Sequence, residues 1–216
     1  MSTKWANIVM LLIVTVMAVG SSLTYPKLPA VIPVHWGIDS HPNGMATKSS
    51  TAATLALILL IFPLLLNVLP RLTARRYPPA TYTPEFNIVM VTGAAFVCAI
   101  AGLLFTYPLY PALPMMKLVV YAILVLFLII GKTFKTLKRN PWCGIRTRAT
   151  LSSDSIWEES HKYASNFIVL AATIGLVTVG LGAPPWVGLL PLILPLSAAT
   201  LHASKLAKQS RSSHLR

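Results

Sequence analysis

Charge is the scarcest property of this 216-residue chain. Only 11% of its residues are Asp, Glu, Lys or Arg, against about a quarter in a soluble domain, which is too few to coat a water-facing surface. Carboxylates are rarer still, five against 18 lysines and arginines. Two cysteines cannot build a disulfide framework. Cys98 falls inside an apolar run and Cys143 in a polar segment, so no bridge between them is expected. No Asp, Glu, Lys, Arg or His stands in the middle of any apolar run. Buried ionisable groups mark proton relays and ion pathways, and their absence argues against an ion-coupled pump.

What the chain has instead is apolar continuity. Hydrophobic residues make up 55% of it and gather into six runs, residues 5–22, 51–69, 87–105, 117–131, 166–181 and 185–201. Each approaches the roughly 20 residues that carry a helix across about 30 Å of hydrocarbon. The fourth is short but extends through Phe134 if Lys132 snorkels to the interface. Lys4, the apolar stretch after it and Ala18-Val19-Gly20 imitate a cleavable leader, yet the run reads as a true span. The expected fold is therefore all-α, a polytopic membrane helix bundle with about six transmembrane helices.

A net charge of +13 would suggest nucleic acid in a soluble protein. Its distribution points elsewhere. With the six spans threaded alternately, all but three of the 18 cations fall on one side, Arg216 among them; Lys27, Lys48 and Lys117 fall on the other. The positive-inside rule then puts the rich side and both termini in the cytoplasm, N-in and C-in. Attraction to anionic inner-leaflet lipids accounts for the charge. Membrane lipids are the expected partners, and nucleic acid is not one.

The chain divides into a two-span unit with an external His-Trp loop (1–70), two central spans (71–134), and a cytoplasmic segment leading into the last two spans (135–216). Only 25–50 and 135–165 are long polar segments, so recognition or chemistry outside the bilayer belongs there. Tyr25-Pro26-Lys27-Leu28-Pro29-Ala30 is echoed by Tyr107-Pro108-Leu109-Tyr110-Pro111-Ala112. That echo fits an inverted three-plus-three repeat or, with more weight, repeated helix-stopping. Ala94, Cys98 and Gly102 form a small-residue stripe open to a close helix neighbour. Pro63, Pro191 and Pro195 should bend their spans.

In the external loop, Asn43-Gly44 reads as a turn dipeptide, and Trp36 suits a headgroup anchor. His35, Asp39 and His41 have donor types that suit zinc, but the spacing matches no His-Glu-x-x-His pattern and no fourth ligand is evident. The more economical reading is that His35 and Asp39 fix the loop's shape, with no metal. Ser40 carries no mark of an activated nucleophile, so no catalytic residue is assigned.

In the cytoplasmic segment, Ser155 and Glu158 form a candidate capping box, with Ser152 and Asp154 as competing starts. The helix that follows carries Ile156, Trp157, Ser160, Tyr163, Ala164 and Phe167 on one side, and Glu158 and Lys162 at salt-bridge spacing. It reads as an interfacial helix running on into the fifth span, with Trp157 at the membrane boundary and His161 one turn on. Its carboxylates either dock onto Arg146 and Arg148, or Arg146, Thr147 and the backbone of Gly144 hold an anion such as a lipid phosphate. Cys143, beside positive charge, is a thiol whose pKa would fall unless burial makes it inert.

Tyr25-Pro26, Leu28-Pro29, Ile32-Pro33, His35-Trp36, Pro42-Asn43-Gly44 and Lys48 resemble the N-terminal domain of unknown function that opens the SdpI-type immunity proteins. Asn140, Trp142, Gly144-Ile145-Arg146-Thr147, Thr150-Leu151-Ser152, Trp157 and His161 are similar to that family's C-terminal signature. Arg148-Ala149 stand where the family usually has Pro-Trp, and Gly37 and His41 also depart from its pattern. The resemblance implies a multi-pass protein of the bacterial plasma (inner) membrane, non-enzymatic and without cofactor, that protects against a secreted toxic peptide. It implies ligand-binding roles for His35, Trp36, Asp39, His41 and Lys48 outside, and for Gly144, Arg146, Thr147, Trp157 and His161 inside. Candidate partners are the toxic peptide and a cytoplasmic protein. The alternative is a membrane enzyme or transporter using an external His/Asp metal site or a cytoplasmic arginine site for phosphate.

Overall fold

A computed structural model describes residues 1–213; Arg216, counted above among the cytoplasmic cations, lies outside them. Six helices are long and apolar enough to cross a membrane, with 20 to 28 residues in each candidate span. At about 1.5 Å per residue even the shortest covers about 30 Å. In chain order the helical elements are α1 (Thr3–Thr24), α2 (Lys48–Leu72), α3 (Pro79–Thr106), α4 (Met115–Phe134), the short α5 (Arg148–Ser152), α6 (Asp154–Gly180) and α7 (Ile193–Ser213). The protein is an all-α polytopic bundle, as its apolar runs require. Exposed leucines, isoleucines and valines along α1, α2 and α6 are what lipid contact demands and a water-facing helix would not carry.

One element departs from pure helix. β1 (Val31–Trp36) and β2 (Pro42–Thr47) form an antiparallel hairpin between α1 and α2. The turn is not Asn43-Gly44. It is residues 37–41, closed by Gly37 N–H to His41 O (2.9 Å) and Ser40 N–H to Gly37 O (3.0 Å), with Ser40 at φ 67°. Gly44 sits in β2 opposite His35 because a Cβ there would come within 2.8 Å of the His35 Cβ. The glycine serves close approach across the ladder, not turning.

Both Tyr-Pro motifs end a helix, α1 at Thr24 and α3 at Thr106. The first continues through a 3-10 turn into β1, the second through tight turns to α4. They punctuate two helices in the same way and then diverge.

α1, α2 and α3 pack around Ala6, Met10, Leu66 and Ala94. α4 and α6 pack with residues Pro185–Leu192 around Val120, Leu124 and Val179. The sixth span is not a bent α-helix. It opens as a 3-10 stretch, Pro185–Leu192, that contains Pro191, while Pro195 falls in the first turn of α7. Prolines lack the N–H that an i→i−4 ladder needs, and a 3-10 entry tolerates their clustering. α2, by contrast, runs unbroken through Pro63, and the Asn67 amide donates to the Pro63 carbonyl while exchanging hydrogen bonds with Asn7 of α1 (2.8 and 3.2 Å).

The small-residue stripe meets α1 at Ala94, fully buried, but opens at Gly102, where an added Cβ would touch nothing. The tightest helix crossing lies elsewhere, between Gly175 of α6 and Gly188. A Cβ on Gly175 would collide with the Gly188 carbonyl oxygen and with Leu124. Gly175→Leu should therefore abolish the folded, monodisperse protein in detergent, whereas Gly102→Leu, an equal gain in bulk in another span, should leave its gel-filtration profile unchanged.

Candidate functional site

The polar segments gather at opposite ends of the bundle. At one end stand the hairpin, the α3–α4 connection and the residues after α6. Lys48 is not offered to a ligand there. Its ammonium, although in the first turn of α2, reaches back to the carbonyls of Tyr25 (3.2 Å) and Leu28 (2.8 Å) and lies over the Tyr25 ring. The Tyr25 carbonyl already accepts the Leu28 N–H in the 3-10 turn that follows α1, and the ammonium ties that turn to the start of α2. Trp36 is not a headgroup anchor either. It is buried, edge-on to Tyr107 at 5.1 Å, within a core shared with Leu28, Ile32, Leu55, Leu104 and Phe105.

The external metal reading fails on geometry. The His35 ring faces the Asn43 amide at 2.5 Å, while Asp39 and His41 pair with each other at the exposed turn (3.4 Å). Among the described residues no group of three His, Cys, Asp or Glu could hold a metal ion. The His41 backbone N–H, donating to Asp39 Oδ1, holds that carboxyl below its usual pKa. What the three loops do create is a cavity of about 560 Å3 lined by Ser40, His41, Tyr107, Met116, Lys117 and the prolines at 184 and 185. Of the five external residues given ligand-binding roles from sequence, only His41 reaches it. Tyr107 stood out in the sequence only as part of a helix-ending motif and Lys117 only as a cation at the boundary of a span; folding brings them together.

At the other end, residues 135–153 fold into a clasp over the start of α6. Asn140, fully buried, accepts from the N–H groups of Trp142 (2.8 Å) and Cys143 (2.9 Å) and donates to the Lys138 carbonyl. Gly144 then turns the chain at φ 105°, a conformation L side chains rarely adopt. A Cβ there would strike His161 Nε2 and press on Trp157. The turn aims the Ile145 N–H at His161 Nε2 (2.9 Å), and His161 Nδ1 meets the Trp157 carbonyl (2.8 Å). Nε2 must accept, so the Nδ1–H tautomer of the neutral imidazole is the form that fits. Trp157, fully buried and stacked on His161 at 4.0 Å, donates to the Leu137 carbonyl (2.7 Å). Trp157 thus packs inside the protein and has no face left for lipid headgroups.

The expected capping box on Ser155 and Glu158 is absent. The box is formed instead by Thr147 and Thr150 at α5, and the Thr150 hydroxyl also donates to the Ile145 carbonyl (2.7 Å). α6 begins after Ser153 with no side-chain cap and runs as one helix into the fifth span. Its carboxylates dock, but not onto Arg146 and Arg148, nor does Glu158 pair with Lys162. Arg139 holds Asp154 (2.7 Å), Lys138 holds Glu158 (2.6 Å), and His202 of α7 approaches Glu159 (3.7 Å). The anion site expected on Gly144, Arg146 and Thr147 does not form either, since Trp157 and His161 cover the glycine and Arg146 points to solvent. Burial, stronger than the pull of Arg146, pushes the Cys143 thiol up to about 12, so it is not an activated thiol.

Known proteins bear on both ends. Residues 136–202, which contain nearly all of the clasp with α6 and the apolar part of α7, match the SdpI/YfhL protein family. Residues 10–65, which contain most of α1, the hairpin and most of α2, match a domain of unknown function, DUF1648. Both matches support the SdpI-type family. The immunity protein SdpI of Bacillus subtilis (strain 168) is 22% identical over 169 residues, 78% of each chain. No solved structure matches. The SdpI signature Gly-Ile-Arg-Thr is, in this chain, mostly internal architecture: the glycine makes the turn, the isoleucine N–H binds the histidine, and the threonine caps α5.

Gly144→Ala and His161→Leu should each destabilise the purified protein by about 1–3 kcal/mol, the first through backbone strain and collision, the second by orphaning the Ile145 N–H. Arg146→Ala should leave the thermal unfolding midpoint in detergent where it was.

Proposed function

We propose that this chain is an SdpI-like immunity protein of a bacterial plasma membrane, protecting its cell against a secreted toxic peptide by binding rather than by catalysis. The likeness to a named immunity protein across 78% of the chain supports the reading, and the observation that carries it to a site is the cavity at the hairpin end. Its walls of proline, methionine and tyrosine suit an extended apolar segment, and Lys117 and His41 offer charge and hydrogen bonds at its rim. A membrane-active peptide held there is withheld from the bilayer. Both termini and the clasp lie in the cytoplasm, following the cation bias, and the hairpin faces the medium that carries the peptide.

Deletion of the gene should make the source bacterium at least about tenfold more sensitive to conditioned medium of its parent, equivalent to about 1.4 kcal/mol of lost peptide binding. Complementation should restore resistance, and the triple variant His41→Ala/Tyr107→Ala/Lys117→Ala should fail to restore it while reaching the membrane at normal levels. Unchanged sensitivity on deletion would overturn immunity; full protection by the triple variant would overturn the site.

Orientation has its own check. With Cys98 and Cys143 replaced by alanine, Ile38→Cys should react with a membrane-impermeant maleimide on intact cells and Lys135→Cys only after permeabilisation. Equal labelling of both from outside would reverse the assignment.

A further inference from the structure

The second polar cavity of the protein, about 520 Å3, lies at the clasp end between α5, the start of α6 and the end of α7. Two cations, Arg148 and Lys208, stand on its wall with the hydroxyls of Thr147, Ser152, Ser153 and Ser204. No carboxylate lines it. The three nearest in sequence are occupied, Asp154 by Arg139, Glu158 by Lys138 and Glu159 by His202. Arg148 and Lys208 themselves make no ion pair or hydrogen bond among the described residues, and both are exposed. Two like charges facing one concavity with no counter-ion repel each other, and the arrangement becomes favourable when an anion sits between them.

The hydroxyls add donors. Those of Ser152 and Ser204 now donate to Ala149 and Thr200 carbonyls within their own turns. Such bonds are dispensable to a helix and are released by rotation about χ1. The uncapped start of α6 opens on the same space at Ile156, which lines it.

Depth indicates the source of the anion. Ser204 to Lys208 follow Leu201, the last residue of the apolar run, by three to seven residues, about 5–11 Å along the helix. That is the headgroup layer of the bilayer.

We infer that this cavity binds a phosphate group, with Arg148 as bidentate donor and Lys208 as point charge, and that the phosphate is presented by an anionic phospholipid. An arginine fork on one helix and an ammonium on another would then tie α5 to the end of α7 through the lipid.

Native mass spectrometry of the full chain released from detergent, with phosphatidylglycerol or phosphatidylcholine added, tests the site. The wild type should retain one phosphatidylglycerol in preference to phosphatidylcholine, and Arg148→Gln/Lys208→Gln should lose that retention about tenfold. Ala207→Trp, which fills the cavity while keeping both charges, should lose it as well. Arg75→Gln/Lys135→Gln, which removes as much charge from the same end, should not. If millimolar inorganic phosphate displaces the lipid, the phosphate group alone is recognised; if not, the glycerol and acyl parts contribute, and either result supports the site. Retention unchanged in Arg148→Gln/Lys208→Gln or in Ala207→Trp, or lost equally in Arg75→Gln/Lys135→Gln, would overturn it. Because toxin sensitivity is not the readout, this result stands or falls separately from immunity.

Discussion

A helix in lipid satisfies every backbone polar group except those at its ends, and six helices leave many such groups at the two surfaces of a bundle. The architecture of this protein follows from how those ends are closed. In the 3-10 turn that follows α1, Lys48 bridges the carbonyls of Tyr25 and Leu28. Where α4 stops and α6 begins, the Leu137 carbonyl goes to the Trp157 indole and the Ile145 N–H to His161. Each closure is made by a side chain from another element, so it fixes two helices relative to each other as well as satisfying a group. An orphaned buried donor or acceptor costs about 1–3 kcal/mol, enough for such staples to determine how the ends are folded.

The same logic explains why signature residues need not be ligands. Gly144, Thr147, Trp157 and His161 look functional in a sequence because they are polar or special residues gathered outside the apolar runs. In three dimensions Gly144, Trp157 and His161 are committed to one another, and Thr147 caps α5 with Thr150. The indole and imidazole rings stack, and between them they accept or donate to residues 137, 145 and 157. A histidine whose two nitrogens are both engaged inside a clasp has no lone pair left for a metal or a proton relay. Lys48 at the opposite end is spent in the same way. Arg148 and Lys208, by contrast, make no ion pair or hydrogen bond among the described residues.

Span number and class were legible because they depend on composition averaged over about 20 residues, which no single contact can overturn. The hairpin was not, and its register is irregular, shifting on either side of His35. Val31 to Trp36 contains a proline, and the Asn43-Gly44 pair carries the standard turn signal while Gly44 is needed at a close crossing against His35. Pairing partners were equally hidden. Charge spacing along α6 pointed to Lys162, one turn away on the same helix, yet the cation that pairs with Glu158 is Lys138 of the preceding segment. Local rules describe a helix in isolation, and at both ends tertiary groups compete successfully with local ones.

That competition also separates the roles of the two ends. At the clasp end, α6 is held by Arg139, Lys138, the aromatic stack and the Thr147–Thr150 box, all within about 25 residues of chain, so its geometry is set locally and resists displacement. At the hairpin end, the cavity walls come from three connections distant in sequence, and the tip residues Asp39 and His41 bond chiefly to each other. Few long-range polar bonds cross that cavity, so its walls can adjust to an occupant without breaking the staples that hold the spans. An end whose walls can adjust and an end that does not yield give the bundle one pliable face and one fixed frame.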